Sequence, residues 1–546
     1  MRKVVLAGAL GNCVHVAGVV RFLRVAEQLG YETVFLGAAV GIDEFIEAIK
    51  QHDPEIVGIS YRLTPDVGEQ LLLDLRRNIE ESGLGRRRFV FGGTPPACES
   101  AQKLQWFERT FSGLENEDAA WAYLKGSPES CSSEKLGGTL LERLEKKWPY
   151  PLLRHHFGLP TLEETVQGVQ MIAESGVLDV ISIAPDQNAQ ESFFRPHEMN
   201  PAMDGAGGVP VRSPDDLKSI HQAAQCGNNP LIRIYSGTRD LLKWAELSAE
   251  TVNNAWAAIP LCWYSALDGR SKRPVEEAIR ENQSAMRWHS ERGIPVEVNE
   301  AHHWALRDAH DTISVATAYL AAYNAKQNGV KNYVSQYMFN TPPAMDAWAD
   351  LAKILAQVEM VETLHDSGFR SYRQIRAGLL HLSPRMSVAK GQLAASTTLA
   401  LSLRPDIIHV VGFCEGDHAA SPEDVIESCE IVHGVMRNCL NGMPDMSADA
   451  YVQQRKRELI QDAMLLIDAI RALDTNADAL ADSMSIARAI QLGILDAPHL
   501  KGNSHAAGAL ETRVIDGAVY AIDPSTKDRL TESQRLAALN QIVGAF

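Results

Sequence analysis

Short apolar runs alternate with longer amphipathic stretches over the first 112 residues of the chain. A short apolar run is typical of a strand buried on both faces, whereas apolar residues three and four positions apart are typical of a helix packed on a sheet. This alternation predicts a doubly wound, flavodoxin-like α/β domain over residues 1–112. The predicted strands are 3–7, 32–36, 55–60 and 88–92, and the predicted helices are Val19–Leu29, Gly41–Gln51 and Pro65–Ser82.

A polar segment follows this domain, and the alternation of strands and helices then resumes. Residues 113–150 are rich in Ser, Glu, Gly and Lys and are predicted to be a linker with one helix at Leu140–Lys147. Residues 151–475 are predicted to form a (β/α)8 TIM-type barrel, whose active site would lie at the carboxyl ends of its strands. The predicted strands are Leu178–Ile183, Leu231–Tyr235, Ile259–Trp263, Pro295–Asn299, Asn332–Tyr337 and Ile407–Gly412. Residues 476–546 are predicted to be an extension that packs on the barrel, with a hairpin at Thr512–Ile522.

Composition narrows the class of protein. The 546 residues carry a formal charge of −17 and no basic block stands out, which argues against a nucleic-acid partner. No apolar run is long enough to span a membrane, and the amino terminus turns polar too soon for a signal peptide. The eight cysteines stand singly, so neither a zinc knuckle nor an iron–sulfur cluster is indicated. We therefore expect a soluble, cytoplasmic protein that acts on a small molecule.

Three chemical signals stand where predicted strands of the first domain end. The first loop carries His15, the third strand ends on Ser60, and the fourth strand ends on Gly92 and Gly93. Carboxyl ends of parallel strands meet at one edge of a sheet, where open α/β domains bind their ligands. A single histidine at a helix start is an ordinary surface residue, so the joint spacing of the three signals carries the prediction. A dinucleotide is a weaker candidate ligand, because the first loop lacks G-x-G-x-x-G and no acidic residue ends the second strand.

These signals resemble the cobalamin-binding domain of glutamate mutase, methylmalonyl-CoA mutase and methionine synthase, whose first loop reads Asp-x-His-x-x-Gly. The resemblance implies that His15 is the lower ligand of the cobalt of cobalamin. It implies that Gly18 lets the displaced nucleotide tail of the cofactor pass close to the backbone. It also implies that Ser60 bonds this tail and that Gly92 and Gly93 line its far end.

Two positions depart from that family. Cys13 stands where the family has the aspartate that orients the histidine and raises its basicity. Because a thiol is a poor hydrogen-bond acceptor, Cys13 predicts weaker ligation of cobalt by His15, or ligation through a water. Arg62 puts a charge where the family usually has an apolar residue.

The barrel region is similar to the catalytic large subunit of glutamate mutase in the order and spacing of many short sequence segments. The likeness runs from about Leu178 to Ile522 and includes Gly237–Leu242, Glu276–Asn299 and Ala487–Pro498. It implies an adenosylcobalamin-dependent isomerase with the cobalamin-binding domain fused at its amino end. In such enzymes a deoxyadenosyl radical takes hydrogen from the substrate, the substrate radical rearranges, and hydrogen returns. The resemblance also implies a homodimer packed through barrel helices.

The substrate-binding residues of glutamate mutase are not kept in this sequence. Asp186 and Tyr235 stand at two of that family's arginine positions, although Arg233 lies on the same strand face as Tyr235. Glu300 follows the fourth barrel strand, where the family has Asn-Arg-Glu. The sequence therefore predicts a pocket for a small amino- or hydroxy-bearing acid other than glutamate, with Asp186, Tyr235 and Glu300 as catalytic candidates.

A loop after a later barrel strand carries further chemistry. By resemblance, Glu415 is the candidate for holding the adenosyl ribose of the cofactor. Together with Asp417 and His418 it predicts an acid/base cluster, or a metal site shared with His302 and His303. The alternative is that these side chains cap the helix that follows.

Two rival functions stay open at this point. The first is a cobalamin-dependent methyl-transfer protein, although such proteins usually carry a helical cap before the cobalamin domain. The second is a non-catalytic cobalamin sensor or carrier, which the changes at Cys13, at Arg62 and at Gly412, where the family has a lysine that holds the adenosyl ribose, allow. The pair His155–His156 is predicted to lie at the surface.

Overall fold

The computed structural model describes residues 3–113, 119–125, 136–235, 237–440, 442–475 and 477–543. The chain divides into two compact units, Met1–Glu134 and Lys135–Phe546. Each unit has its own parallel sheet and its own hydrophobic core, and the predicted α/β fold is confirmed.

The first unit is a five-stranded parallel sheet with helices on both faces. Its strands are β1 (Val4–Leu10), β2 (Glu32–Val40), β3 (Ile56–Tyr61), β4 (Arg88–Gly93) and β5 (Arg109–Phe111), in the order β2-β1-β3-β4-β5. Its helices are α1 (Ala17–Gln28), α2 (Ile42–His52), α3 (Pro65–Glu81), α4 (Pro95–Lys103) and α5 (Ala119–Lys125). Apolar residues of α1 and α5 pack on one face of the sheet, and those of α2, α3 and α4 pack on the other. The sequence did not predict β5, because three residues are too short to show a hydrophobic period.

The second unit contains eight parallel strands that form a nearly closed barrel. They are β6 (Leu152–Phe157), β7 (Val180–Ile183), β8 (Leu231–Ile234), β9 (Ala257–Pro260), β10 (Val296–Asn299), β11 (Asn332–Phe339), β12 (Arg370–Ala377) and β13 (Ile407–Val410). Their order is β8-β7-β6-β13-β12-β11-β10-β9, so β8 and β9 are the two ends of the sheet. The residues before β9 join these ends, because the Ala255 N–H donates to the Ile232 carbonyl and the Ile234 N–H donates to Asn254 Oδ1.

Two of the barrel strands were not predicted from the sequence. Both β6 (LLRHHF) and β12 (RSYRQIRA) carry charged and polar residues at alternate positions. Their polar side chains point into the barrel interior, where Arg154 of β6 donates to Gln374 of β12. A search for apolar runs overlooks such strands, since polar residues interrupt the apolar ones.

Helices surround the barrel, and the last segments of the chain pack outside them. The helices are α6 (Leu140–Lys147), α7 (Leu162–Ser175), α8 (Gln187–Ser192), α9 (Pro214–Ala223), α10 (Leu241–Val252), α11 (Val275–Glu291), α12 (Ala301–Ala305), α13 (Asp311–Gln327), α14 (Ala347–Glu362), α15 (Met386–Leu401), α16 (Pro422–Leu440), α17 (Ala450–Arg471), α18 (Ser483–Gln491) and α19 (Glu532–Val543). Helix α17 packs on α13 and α14, and α18 packs on α11.

The carboxyl-terminal hairpin pairs β14 (Glu511–Ile515) with β15 (Ala518–Ile522). Its turn residues Asp516 and Gly517 have φ angles of 47° and 72°, as the sequence Asp-Gly favours in a tight hairpin turn. Within the described ranges, no helix is both long enough and apolar enough to cross a membrane. The expected homodimer stays a prediction.

Candidate functional site

Three of the sequence signals of the first unit lie side by side at the carboxyl edge of its sheet. In the parallel ladders, Ala9 of β1 is opposite Ser60 of β3, and Ser60 is opposite Gly92 of β4. The loop that carries His15 begins directly after β1. The register of three adjacent strands therefore brings together residues that are far apart in the sequence.

The loop after β1 is held against the end of β2. The Gly11 N–H donates to the Val40 carbonyl at 2.8 Å, and the Ala39 N–H donates to the Cys13 carbonyl at 2.9 Å. Gly11 has a φ of +65°, a conformation that side chains other than glycine rarely adopt, so it makes the turn at the start of the loop. His15 lies exposed at the end of this anchored loop, two residues before α1 begins.

Cys13 lies beside the imidazole of His15. Its thiol is fully buried, and its Sγ is 3.9 Å from Nδ1 of His15. In the part of the chain that the structure describes, Nε2 of His15 has no hydrogen-bond partner. Cys13 therefore contacts one ring nitrogen of His15 and leaves the other available to a ligand.

The remaining residues of this edge differ in the space around them. Ser60 is 6% exposed, and none of the described residues bonds to its hydroxyl. A Cβ added to Gly18 would meet no atom within 4 Å, and one added to Gly92 would meet only the Phe111 carbonyl at 3.9 Å. At Gly93 the space is filled, because a Cβ there would lie 2.7 Å from the Tyr61 carbonyl. Open space beside the backbone is therefore present at Gly18 and Gly92, whereas Gly93 allows close packing of β4.

The second unit has a cavity of about 620 Å³ at the carboxyl ends of its barrel strands. Its lining includes side chains from β10, β11 and β12 and from the residues that follow β8 and β10: Tyr235, Glu297, Asn299, His302, Gln336 and Arg376. This end of a β/α barrel is where the loops that follow the strands build active sites.

The floor of the cavity is an ion cluster in the barrel interior. Glu297 Oε2 accepts from Arg233 Nη2 at 3.1 Å and from Trp256 Nε1 at 2.7 Å, and it lies 3.7 Å from Arg154 Nη1. Burial raises the pKa of Glu297, but Arg233 and Arg154 outweigh burial, and the pKa is lowered overall. Burial, together with Arg233, lowers the pKa of Arg154 to about 9, so Arg154 stays charged at neutral pH. Glu297 Oε1 is buried without a hydrogen-bond partner among the described residues.

Arg376 presents a guanidinium to the cavity. Its Nε donates to the Ala377 carbonyl at 3.2 Å, and within the described ranges no carboxylate lies at ion-pair distance from it. Burial lowers the pKa of Arg376, while Tyr235, Glu415 and Glu297 raise it. Arg376 therefore offers the end of its guanidinium to an anion in the cavity.

Tyr235 and His156 form a hydrogen-bonded, stacked pair beside the cavity. The Tyr235 hydroxyl lies 2.8 Å from His156 Nε2, and the ring centroids are 5.1 Å apart with the planes at 13°. Arg154 also donates to His156 Nε2, at 2.8 Å, so this nitrogen is unprotonated and the Tyr235 hydroxyl donates to it. Burial, followed by the charge of Arg154, lowers the pKa of His156 well below its ordinary value. The imidazole is therefore neutral, and the phenol oxygen of Tyr235 keeps its lone pairs for the cavity.

Two further histidines line the cavity and are neutral for the same physical reason. Burial, followed by the charge of Arg376, lowers the pKa of His302 to about 3. Burial also lowers the pKa of His303 well below its ordinary value. Among the described residues, the side chains spaced closely enough to hold a metal ion are Cys414, His418 and Asp424, and neither of the two lining histidines is among them.

Asp186 has a structural environment. It accepts from both terminal nitrogens of Arg212, at 3.0 and 2.6 Å, and from the N–H groups of Ala189 and Gly205. It caps the amino end of α8 and is not among the residues that line the cavity. These four donors occupy its carboxylate, so the structure gives no support to its predicted catalytic role.

Glu300 has a similar environment. Its carboxylate accepts from the N–H groups of Leu261 and Cys262 at 3.1 and 3.0 Å, and from Trp304 Nε1 at 2.7 Å. Burial raises the pKa of Glu300. It fixes the segment after β9 to the start of α12 and lies outside the cavity lining. Its predicted catalytic role stays a prediction.

Glu415 and its neighbours follow β13. Glu415 Oε1 accepts from the Gly412 N–H at 3.3 Å and lies 3.9 Å from Nε2 of His155. It is not a lining residue of the cavity, but its charge acts on Arg376. His418 bonds to Asp417 and Asp424 at the start of α16.

Sequence reasoning missed several residues of the cavity region. The prediction that His155 and His156 lie at the surface is wrong, because β6 buries His155 fully and places His156 beside Tyr235. Glu297 and Arg376 were not considered as site residues. A usable signal was present, since polar residues alternate on interior-facing strand positions: Arg154 and His156, Arg233 and Tyr235, Glu297 and Asn299, Gln374 and Arg376.

The comparisons with known proteins concern mainly the first unit. The family described as B12 binding domain matches residues 3–111. Glutamate mutase sigma subunit 2 of Haloarcula marismortui is 30% identical over 147 residues, which cover 25% of this chain and 97% of that subunit.

Solved structures of two cobalamin proteins are among the further matches. A novel cobalamin-binding protein from Desulfitobacterium hafniense DCB-2 is 22% identical, over 20% of this chain and 52% of that chain, with a TM-score of 0.19. The cobalamin-dependent S-adenosylmethionine radical enzyme OxsB, with aqua-cobalamin and S-adenosylmethionine bound, is 10% identical, over 90% of this chain and 71% of that chain, with a TM-score of 0.19. At these TM-scores neither likeness carries an argument about this chain.

Replacing Glu297 by glutamine tests the ion cluster under the cavity. The variant leaves two buried guanidiniums without a counter-charge, so we expect the free energy of unfolding to fall by about 3–5 kcal/mol. The pKa of Glu297 is lowered from 4.5, so its stabilisation is present above pH 4.5 and is lost as the pH falls through the folded pKa. Urea unfolding at pH 7 and pH 4 measures both effects. The exposed Glu198→Gln is the control, and equal losses in the two variants would contradict the role of the cluster.

Proposed function

Because the chain belongs to the B12-binding family of the glutamate mutase sigma subunits, we propose that it is a cobalamin-dependent radical isomerase acting on a small carboxylic acid other than glutamate. The observation that carries this proposal is the presence in one chain of a B12-binding domain and of a barrel with a charged cavity at the carboxyl ends of its strands. A barrel of this kind encloses reacting groups and keeps water from reactive intermediates.

The residues at the carboxyl edge of the first unit fit cobalamin. His15 offers Nε2 as a ligand atom on an anchored loop, and neutral imidazole is a common metal ligand. Gly18 and Gly92 leave space for close approach of a ligand to the backbone, and Ser60 offers a hydroxyl without a partner among the described residues. We assign these four residues to the cofactor, with His15 on the cobalt. When bound in its adenosyl form, the cofactor supplies the radical that starts the reaction.

Arg376 is the proposed receptor for the substrate carboxylate. A guanidinium pairs with a carboxylate through two parallel hydrogen bonds, which fix its orientation as well as its position. Arg376 lines the cavity and has no carboxylate at ion-pair distance within the described ranges. An acidic substrate would supply that partner.

Tyr235 and Glu297 provide hydrogen-bond acceptors to the cavity. The Tyr235 hydroxyl donates to neutral His156, so its oxygen accepts a hydrogen bond from the cavity side. Glu297 lines the same cavity, and its Oε1 has no partner among the described residues. Two acceptors and one guanidinium in the same cavity suit an acid that also carries an amino or hydroxyl group. Tyr235 is proposed to hold this group while the carbon skeleton reacts.

The charges of the cavity also argue against glutamate. Glutamate carries two carboxylates and needs two cationic receptors. Arg270, the other lining arginine, lies over the Tyr264 ring at 4.5 Å and 3.7 Å from Asp268. Arg154 and Arg233 are engaged by Glu297 beneath the cavity. Arg376 alone remains for a substrate carboxylate among the described arginines of this site, which favours a monocarboxylate.

Replacing His15 by alanine tests the cofactor assignment. We expect wild-type protein with cob(II)alamin to show nitrogen hyperfine splitting in its paramagnetic-resonance spectrum, and the variant to lose this splitting while it keeps the fold. His52→Ala, on α2, is the matched control and should retain it. A spectrum that is identical in wild type and His15→Ala would remove His15 as the cobalt ligand.

Replacing Cys13 by aspartate tests the contact between its thiol and His15. A carboxylate is a stronger acceptor for Nδ1–H than a thiol, and partners of this kind change metal affinity by roughly 10–100-fold. We therefore expect Cys13→Asp to raise the affinity of His15 for cobalt by about 10-fold. The measurement is a pH titration of the absorption spectrum of the bound cofactor, with Cys13→Ser as the control. No shift in the aspartate variant would mean that Cys13 does not influence the ligand.

Replacing Arg376 by glutamine tests the carboxylate receptor. Losing a charge-assisted hydrogen bond costs about 1.5–3 kcal/mol, which weakens binding by roughly 10–150-fold. The probe is a set of small 2-amino and 2-hydroxy monocarboxylic acids, measured by calorimetry and by hydrogen exchange with deuterated adenosylcobalamin. Arg270→Gln should bind them nearly as well as the wild type. Turnover of methylcobalamin without hydrogen exchange would favour methyl transfer. The absence of both reactions with every acid would favour a carrier.

A further inference from the structure

We propose that Cys414, His418 and Asp424 form a binding site for one divalent metal ion of the zinc class, after β13 of the barrel. The Cys414 sulfur, a ring nitrogen of His418 and a carboxylate oxygen of Asp424 all lie within 4.8 Å of one another. Zinc takes thiolate, imidazole and carboxylate ligands at about 2.0–2.3 Å, so tetrahedral ligands are about 3.3–3.8 Å apart. The three atoms need only small side-chain movements to reach that spacing.

The backbone holds two of these residues together. The Cys414 carbonyl accepts from the N–H groups of Asp417 and His418, at 2.8 and 2.9 Å. This turn, which contains the short 3-10 segment Phe413–Gly416, brings His418 back beside Cys414. The spacing Cys-x-x-x-His is therefore set by local hydrogen bonds and does not depend on a ligand.

Asp424 is fixed independently, in the first turn of α16. Its Oδ2 accepts from the Ser421 N–H at 3.0 Å, and its own N–H donates to Ser421 Oγ at 3.1 Å. This reciprocal capping holds the carboxylate at the amino end of the helix, facing the turn that carries Cys414 and His418. The ligand atoms thus come from two rigid elements.

Asp417 orients the imidazole. Its Oδ2 lies 2.9 Å from Nδ1 of His418, the arrangement in which a carboxylate fixes the tautomer of a metal-binding histidine. With the proton of Nδ1 donated to Asp417, the lone pair of Nε2 faces Asp424 Oδ2 at 3.3 Å. The Nε2–Oδ2 separation of 3.3 Å matches the spacing of two ligand atoms on one tetrahedral ion, which would take the place of a proton shared between them.

The surroundings favour a divalent cation over an uncharged ligand. Cys414 is fully buried, and Glu415, Asp417 and Asp424 lie close to it. Metal binding would replace the thiol proton, which leaves to solvent as the sulfur–metal bond forms. His418 is 48% exposed on its side chain, so the fourth coordination position opens to solvent. Three protein ligands with one open position are typical of zinc sites that exchange their fourth ligand.

This site shares no residue with the proposed cobalt site or with the lining of the substrate cavity. His15 belongs to the first unit, and none of the three metal ligands lines the cavity. Metal binding here therefore does not require the protein to be an isomerase.

The test is a metal titration of the full-length chain, prepared without cobalamin and stripped of metal. Cobalt(II) is the probe, because a thiolate ligand gives it an intense ultraviolet charge-transfer band. We expect one ion per chain, at least one proton released per ion, and displacement of cobalt(II) by Zn²⁺. No band at stoichiometric cobalt(II), or a band without proton release, would overturn the assignment of Cys414.

Variants separate the site from its neighbours. Cys414→Ser should abolish the band, and His418→Gln, on an exposed side chain that the fold does not need, should weaken binding at least 10-fold. Cys429→Ser, at another buried cysteine of α16, should leave the titration unchanged. Asp417→Asn should weaken binding and keep the band, as expected of a positioning residue. Unchanged affinity in His418→Gln would show that His418 holds a proton there and would overturn the proposal.

Discussion

The carboxylate of Glu297 lies between Arg154 and Arg233 in the barrel interior, and the chemistry of the cavity depends on this buried ion cluster. Buried charges are costly unless they are paired, and here two guanidiniums share one carboxylate. The cluster therefore carries an excess of positive charge. Burial lowers the pKa of His156 well below its ordinary value, and the charges of Arg154 and Arg233 lower it further, so the imidazole is neutral.

Neutral histidines decide what the cavity can bind. Because His156 is unprotonated at Nε2, Tyr235 must donate to it, and the phenol oxygen then accepts from the cavity. Because His302 is also neutral, Arg376 remains the cation that lines the cavity without a nearby carboxylate in the described chain. The polarity of the site thus follows from the burial of its histidines and from the arginine charges around them. An acidic substrate relieves the remaining positive charge, whereas a cationic one adds to it.

The sequence was informative where function depends on strand ends and less so where it depends on strand interiors. The placement of His15, Ser60 and Gly92 at one edge could be predicted because the carboxyl ends of β1, β3 and β4 must meet there. The strands β6 and β12 could not, because their polar residues face a barrel interior that usually holds bulky apolar residues. Asp186 and Glu300 illustrate the opposite difficulty. A carboxylate at a strand end can also fix backbone N–H groups, and only three-dimensional contacts distinguish the two roles.

The structure indicates roles for two cysteines that their isolated positions in the sequence could not indicate. Cys13 is 3.9 Å from Nδ1 of the exposed histidine, and Cys414 lies beside His418 in a turn closed by its own carbonyl. The difference lies in the second ring nitrogen. At His15 the thiol contacts Nδ1 and leaves Nε2 for a ligand, whereas at His418 a carboxylate holds Nδ1 and directs Nε2 towards Asp424, within reach of the thiol. The cysteine is therefore proposed to influence a ligating histidine in the first unit and to be a metal ligand itself in the second unit.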